Sequence, residues 1–438
     1  MRLLIIGSGQ FSKRRGGGEV YVRSLVSGLK SNNHQVFYFS IGFGEAGKPE
    51  LKRVDSSLPE EYQFVLPRHW IVHEEFREML LQSLADSFLQ INPDVIHAHG
   101  WKCETSVAAR KAGIPCVITV HHGGFVCPAG ALLNAEDEIC TIPASDVDCL
   151  KCCTRSVPGW KFWYQILRCF PLKARLELGK EISRLPSLPF LTPLGQMSWM
   201  IREKRMAVTD IGSAATRIIA PSPAMAESLF LNGVPKDKVS VVPHGIPIMP
   251  RFPLNEKRGS NLIRFVYIGR IDYAKGLHVL LEACRGLAVQ SCELHIVGGA
   301  GTRRELRYQQ RLRRKYCTSN VVWHGDLDSG EVMEMLIRCD MMVHPAICLE
   351  VFGLSIAEAL SIGRPVIATR CGGAEIQVRD GENGFLVPPN DPAALRMAMQ
   401  KVIDDRGLLA DMAKRTGNVR SIDAHVREME KIYLECLL

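Results

Sequence analysis

Two glutamates eight residues apart, Glu350 and Glu358, flank the run Phe352-Gly353-Leu354-Ser355. Met341–His344 before them reads as the end of a buried strand, and Pro365–Ala368 after them as the next one. Between the two, the spacing predicts a helix from Phe352 to Leu360, closed by Gly363 with Pro365 just beyond. A strand–loop–helix–strand unit of this length is a parallel crossover, and in such sheets ligands sit beyond the carboxyl ends of the strands. The predicted helix opens without a carboxylate in its first turn, so its free N–H groups and positive dipole end are available to an anion such as a phosphate. Glu350 just before the helix and Glu358 one to two turns into it are placed to accept hydrogen bonds from hydroxyls on either side of that phosphate. A sugar on one side and a ribose on the other would fit. Glutamates are mostly solvated. Here the apolar flanks Val351, Phe352, Leu354, Ile356, Ala357, Ala359 and Leu360 argue against free solvation of both.

A second constellation lies upstream. Leu262–Ile268 reads as a strand, followed by Gly269-Arg270, then Asp272-Tyr-Ala-Lys275-Gly276 and a helix from Leu277. Arg270 and Lys275, on a glycine-flanked strand-to-helix loop, are suited to clamp a diphosphate: the arginine with a fork of donors, the lysine as a point charge. Such a pair also occurs as a plain solvated loop edge.

The elements that must hold these groups follow an α/β alternation. Strands are expected at Arg2–Ile6, Gln35–Phe39, near Pro93–Ala98, Ile114–Val120, Thr216–Ala220 and Lys238–Val242. In the second half they are expected at Cys292–Val297, Val321–Trp323 and Asn383–Val387. Helices are expected at Glu19–Lys30, Met225–Leu231, Arg303–Lys315, Glu331–Ile337 and Asp391–Ile403. Histidines stand at strand ends: His97 and His99, then His121 and His122, then His244. The chain of 438 residues, 46% hydrophobic and 23% charged, is long enough for two or three domains with large cores. Its net charge of +8 suits phosphorylated ligands or an anionic membrane surface. Nucleic acid is not an expected partner. Met1–Gly7 reads as a first strand rather than a signal peptide. The uncharged window Leu185–Ile201 is broken by Pro186, Pro189 and Pro193, which argues against a transmembrane helix. A cytoplasmic protein, peripheral on the inner face of the membrane at most, is the expectation.

Cys127 to Cys153 is the unusual stretch. Fifteen cysteines in such a chain read as thiols or metal ligands rather than a disulfide framework. Cys149-Leu-Lys-Cys152, completed by Cys127 and Cys140, predicts a structural four-thiolate zinc site, with an iron–sulfur cluster or a loop of free thiols as alternatives. Beyond it, Trp160-Lys-Phe-Trp-Tyr164 with Arg168, Phe170 and Lys173 suits either a membrane interface or a helical lid packed on its own domain.

Glu350-x7-Glu358 with Phe352-Gly353 and Glu358-Ala359, together with Gly269-Arg270-x4-Lys275-Gly276, resembles the retaining glycosyltransferases of the family-four (group 1) type, which use nucleotide-sugar donors. The resemblance runs from Gly16 to Pro389 and is weakest between Cys127 and Met206. It implies the GT-B fold, α/β with two doubly wound Rossmann-like domains facing across a cleft. An acceptor-side domain is expected over 1–245, with an insertion near 125–206 and the helix 424–438 added to it. A donor-binding domain is expected over 246–423. The resemblance implies that Glu358 binds the ribose hydroxyls and Glu350 the donor sugar. It gives Arg270 and Lys275 the stabilisation of the leaving nucleoside diphosphate, where charge develops as the C–O bond breaks. His121 matches a histidine that contacts the donor sugar, although His122 stands where Asp is common and His244 where Asn is usual. Gly16, Gly17 and Gly18 match the family's glycine loop. Gly17, Gly18, Gly269, Phe352, Gly353 and Leu354 complete the expected donor-binding set.

Transfer would proceed with retention, the leaving phosphate acting as local base and Glu350 as a binder rather than a nucleophile. No cofactor is required for it. The acceptor would be a saccharide or lipid-linked molecule, as in surface polysaccharide or glycolipid assembly. A nucleotide-sugar epimerase on the same fold, which needs no acceptor, and a non-catalytic sugar-nucleotide or metal sensor, which binds without turnover, are the competing readings. A dinucleotide oxidoreductase is disfavoured, because the glycines after the first strand lack a G-x-G-x-x-G followed by a matching acidic residue.

Overall fold

Leu3, Leu4, Ile5 and Ile6 are buried in succession. A run apolar on both faces is what a parallel sheet covered by helices on both sides requires. A computed structural model describes residues 1–11, 16–44, 48–54, 60–67, 76–155, 157, 159–183, 192–254 and 262–438. Lys13, Arg14 and Arg15, and Pro186 and Pro189 of the uncharged window, lie outside the described residues. Among the described residues no helix is long and apolar enough to cross a membrane.

The chain divides into two units. The first comprises Met1–Gly130, Ile142–Pro247 and Arg420–Leu438. It runs β1 (Arg2–Ile6), α1 (Gly17–Ser31), β2 (Gln35–Gly44), β3 (Glu50–Val54), β4 (Glu60–Pro67), α2 (Arg77–Ile91), β5 (Val95–Ala98), α3 (Lys102–Ala112) and β6 (Cys116–Thr119). Four helices follow, α4 (Asp148–Thr154), α5 (Trp160–Arg168), α6 (Leu172–Ser183) and α7 (Thr192–Ala214), then β7 (Arg217–Ala220), α8 (Pro223–Leu231) and β8 (Val239–Val241). The sheet order is β3-β4-β2-β1-β5-β6-β7-β8. Only the β3–β4 pairing is antiparallel. From β1 the order runs outward in both directions, so the switch point lies where β1 and β5 end. There the glycine loop leaves β1 and His99 follows β5.

The second unit comprises Ala131–Thr141 and Ile248–Val419. Its elements are β9 (Ile263–Ile268), α9 (Leu277–Arg285), β10 (Cys292–Val297), α10 (Arg303–Lys315), β11 (Val321–Gly325), α11 (Ser329–Arg338), β12 (Met341–His344), α12 (Leu354–Ser361), β13 (Val366–Thr369), β14 (Gly384–Val387), α13 (Pro392–Asp404) and α14 (Arg406–Lys414). The sheet β11-β10-β9-β12-β13-β14 is parallel throughout. Its switch point lies between β9 and β12, and the loops after Ile268 and His344 leave the sheet there, where sheets of this kind bind ligands.

The helix α15 (Ile422–Glu435) returns to the first unit. Gly28 of α1 lets the two backbones close up, since a Cβ there would sit 2.6 Å from a Val426 methyl. The boundary expected after Gly245 falls after Pro247, the returning segment starts at Arg420, and Ala131–Thr141 belongs to the second unit rather than the first. The reason is apolar: Leu133 and Ile139 pack on the two faces of the second sheet. The chain is thus α/β, two mostly parallel sheets layered with helices, as the resemblance implies.

Candidate active site

In the second unit, Asp272 opens a short turn at Tyr273–Lys275 by accepting from the Ala274 N–H at 2.8 Å. Gly276 ends that turn at φ 70°, with Pro345 O only 1.8 Å from where a Cβ would be. No L-residue side chain fits there, which explains the glycine after Lys275. The Ile347 N–H donates to Ala274 O at 2.9 Å, tying the turn to the loop after β12. That loop is pinned on its other side. The Glu350 N–H donates to Cys371 O and the Gly373 N–H to Glu350 O, both at 2.7 Å. The Gln377 amide donates to Phe352 O and, at 3.1 Å, to Gly373 O.

The result is a close pair. Lys275 Nζ lies 2.5 Å from Glu350 Oε2, and His344 Nε2 lies 3.3 Å from the same oxygen. Burial works to raise the Glu350 carboxyl, but Lys275 and His344 outweigh it and hold it well below the usual carboxylate range. Burial likewise works against the Lys275 ammonium, and Glu350 overrides it. Arg270 stands apart on the surface, its guanidinium 3.7 Å from Glu305 Oε1 and close enough to Lys275 to act against its charge. Gly269 and Gly298 bring the ends of β9 and β10 together, since a Cβ on Gly298 would meet Gly269 O at 1.9 Å.

Gly353, at φ 83°, is the cap of α12, and the first turn of that helix carries no acidic residue. Phe352 is buried under it, and Leu354 begins the helix. Glu358 sits in the middle of α12, and burial pushes its carboxyl up to about 7. The two carboxyls eight residues apart are thus shifted in opposite directions: Glu350 is held ionised by Lys275 and His344 against its burial, and Glu358 is raised by desolvation. The structure brings Lys275 to Glu350 at the start of α12, a pairing that the spacing of neither constellation gave. His344 was legible only as a strand end. Its place at the carboxyl end of β12, on the switch point, was the available signal.

The first unit gathers the other candidates. Gly17 and Gly18 form the first turn of α1, and a Cβ on Gly18 would lie 3.8 Å from the His121 ring. His121 Nε2 is 2.8 Å from His99 Nδ1. Tyr21, one turn into α1, packs its ring against His99, His121, His244 and His425. Burial, reinforced by neighbouring histidines, keeps the His99, His121 and His244 rings neutral well below the usual range.

The protons of the surrounding chain can be ordered. His425 Nδ1 must donate to Pro243 O (2.9 Å), because a carbonyl only accepts. Burial lowers His425 to about 4, so its ring is neutral and Nε2 accepts from the Tyr21 hydroxyl at 2.7 Å. His97 continues the chain, with Nε2 2.7 Å from the Thr119 hydroxyl and Nδ1 2.6 Å from the Tyr433 hydroxyl. Helix α15 thereby fixes Tyr21, beneath the glycine loop, through groups that sequence spacing did not connect.

Of the expected zinc ligands, Cys127, Cys149 and Cys152 lie in the first unit and Cys140 in the second. Among the described residues no group of three or more His, Cys, Asp or Glu side chains is arranged to hold a metal ion. Burial pushes the Cys153 thiol up to about 12, and Cys149, Cys127 and Cys152 add to the effect. Cys153, not named among the expected ligands, is thus the neighbour of those three.

Two family models match the chain. Glycosyltransferase Family 4 covers residues 15–139, and Glycosyl transferases group 1 covers residues 251–419. Glycogen synthase of Mycobacterium tuberculosis is 30% identical over 211 residues, a match that spans 48% of this chain and only 48% of that enzyme. D-inositol 3-phosphate glycosyltransferase of Arthrobacter is 23% identical over 91% of this chain and 84% of its own length. The crystal structure of Anabaena Alr3699/HepE in complex with UDP-glucose superposes with a TM-score of 0.65 at 17% identity, covering 99% of this chain and 100% of that one. With the Glu350–Lys275 pair, the glycine-capped helix α12 and two doubly wound sheets, these matches place the chain in the GT-B glycosyltransferases of the family-four, group 1 type.

Proposed function

We propose that this chain moves a sugar from a nucleoside-diphosphate sugar to a saccharide or lipid-linked acceptor, with retention at the anomeric carbon. The observation that carries the reading is the Lys275–Glu350 pair at the second switch point, beside a helix amino end free of first-turn carboxylates. Lys275 has three N–H donors and Glu350 occupies one. A donor diphosphate at the α12 amino end takes the others, and Glu350 turns to the sugar hydroxyls. Glu358 accepts from the ribose, and Arg270 closes on the phosphates from the surface. Fixed cations there stabilise the charge that develops on the leaving diphosphate. The leaving phosphate acts as the local base, and no metal or other cofactor enters the transfer. His121 is proposed to meet the donor sugar. The UDP-glucose bound by the HepE relative supports a nucleotide-sugar donor.

The acceptor reading draws on the first unit. Phe162 on α5 is 63% exposed, with Phe170, Trp199 and Met200 also exposed. The Lys161 ammonium lies over Trp160 and the Arg168 guanidinium over Tyr164. Aromatics interleaved with cations suit the headgroup region of a membrane, which supports peripheral contact and a lipid-linked acceptor. A structural zinc ion on Cys127, Cys140, Cys149 and Cys152 is proposed on the sequence spacing alone.

The test is turnover. UDP-, GDP-, ADP- and dTDP-sugars are incubated with the enzyme and a membrane extract, and the anomeric configuration of the product is read by NMR. One donor giving a retained product supports the reading. Inversion, isomerisation of the donor without an acceptor, or binding without turnover across the whole panel contradicts it.

A further inference from the structure

Part of the cysteine-rich stretch is built into the second unit. Ala131–Thr141 folds as a hairpin in which Leu133 and Ile139 pair. Asn134 organises its tip. Its N–H donates to Glu138 O at 2.8 Å, and its Oδ1 accepts from the N–H groups of Glu136 and Glu138 at 2.9 Å. Asp137 completes the tip with φ 64°, a left-handed conformation that Asp tolerates better than most residues. That geometry delivers its carboxylate to Tyr273, whose hydroxyl donates to Asp137 Oδ2 at 3.0 Å.

Tyr273 begins the turn that carries Lys275. Its ring stacks on His278 with centroids 4.5 Å apart and planes 8° from parallel, and His278 Nδ1 lies 2.8 Å from the Tyr308 hydroxyl. A single 3₁₀ turn has poor hydrogen-bond geometry and little stability of its own, so its shape depends on what grips it. Gly276 and Ala274 are held from the side of the loop after β12. The Tyr273 side chain is held by the hairpin and by the stack on His278.

We propose that the Ala131–Thr141 hairpin is a latch on the diphosphate-clamp turn, in which Asp137, acting through Tyr273, is a positioning residue for Lys275. The inference rests on the reading of Lys275 as a donor-phosphate ligand. The insertion thereby acts on the donor unit, although it departs from the chain in the middle of the first.

Two variants test it. Asp137→Gly keeps the left-handed tip and removes the acceptor, because glycine adopts that conformation freely. Tyr273→Phe leaves the hairpin sequence untouched and removes the donor. Asp137→Asn keeps an acceptor oxygen at the same tip and serves as the rescue. Two readouts are taken: amide hydrogen exchange over residues 272–279 without ligand, and calorimetric affinity for UDP, GDP, ADP and dTDP. A hydrogen bond to a carboxylate supports about a tenfold faster exchange of the turn and about a tenfold weaker affinity for the best nucleotide in either variant. The double variant is expected to be no worse than each single one, since both remove the same contact. Asp137→Asn is expected to stay near wild type. Unchanged exchange and affinity in Asp137→Gly and Tyr273→Phe, or fully additive losses in the double variant, overturn the latch. If wild type binds none of the nucleotides, the donor reading falls, and with it the role given to Asp137. The exchange rates then report only on the hairpin's grip on the turn.

Discussion

Replacing Glu358 by Gln is expected to stabilise the unliganded protein at alkaline pH while removing nucleotide binding. Burial raises the folded-state carboxyl to about 7 from an ordinary 4.5. Between those two values the folded protein holds a proton that the unfolded chain has released. Stability therefore falls as pH rises through that window, and above pH 7 the ionised carboxylate costs the fold about 3 kcal/mol. Glutamine carries no such charge. Glu358→Gln and wild type should differ little at pH 4.5, and the variant should gain up to about 3 kcal/mol by pH 8. For a unit of this size that is a rise of roughly 6–12 °C in the melting of the second unit.

The comparison with the variant isolates the effect. His278 and His295 of the same unit are lowered by burial and push stability the opposite way, but they do so equally in both proteins. Glu350 is held low, so its stabilisation is lost only as pH falls below about 4.5. The assay is thermal and urea unfolding of both proteins from pH 4.5 to 8.5. Nucleotide affinity is measured in parallel and should rise with pH through 7 in wild type, because the ribose hydroxyls need the carboxylate as acceptor. Stability curves that run parallel, with no gain for the variant at high pH, refute the desolvated-carboxyl argument.

Lys275→Ala leaves Glu350 charged and buried without its partner, which should cost the second unit about 3–5 kcal/mol in urea unfolding and abolish transfer. Wild-type stability and activity in that variant would remove the assigned pair. Burial lowers His425 to about 4. The unfolded chain therefore takes up a proton below about 6.5 that the fold refuses. His425→Asn should lose about 3 kcal/mol less stability than wild type between pH 6.5 and 4. Equal slopes in acid titration contradict the neutral ring. Metal analysis of the purified chain should find about one zinc ion per chain if Cys127, Cys140, Cys149 and Cys152 are ligands, and Cys149→Ser should lose it. A metal-free, folded chain contradicts that set. Flotation with phosphatidylglycerol vesicles should capture the wild type and lose Phe162→Asp. Equal capture of both contradicts the aromatic face as the contact.

The arrangement of Glu350, Gly353 and Glu358 was legible because it is local, within one loop and helix. That Lys275, on the loop after the neighbouring strand, pairs with Glu350 was not given by spacing. The run of buried strands from Met341 to Thr369 needs no long-range knowledge to read. What the spacing could not supply was long-range pairing. Tyr21 and His425 are 404 residues apart and meet through one hydrogen bond. His344 looked like any strand end until the switch point put it beside Glu350. Leu132, Leu133 and Ile139 are too few and too irregularly spaced to set a period, and the packing of Leu133 and Ile139 assigns the hairpin to the second unit. Arg270 was read with Lys275 from their spacing and from the Gly269-Arg270-x4-Lys275-Gly276 motif. Its side chain is in fact 68% exposed and leans on Glu305, which belongs to the next crossover.

The central claim is that Lys275, Glu350 and Glu358 form a nucleotide-sugar site. The most direct test is calorimetric titration of the wild type with UDP-, GDP-, ADP- and dTDP-sugars, repeated with Lys275→Ala and Glu358→Gln. Saturable binding of one nucleotide class, weakened at least about a hundredfold in both variants, is the predicted result. Binding that survives both substitutions, or no binding by any member of the panel, contradicts it.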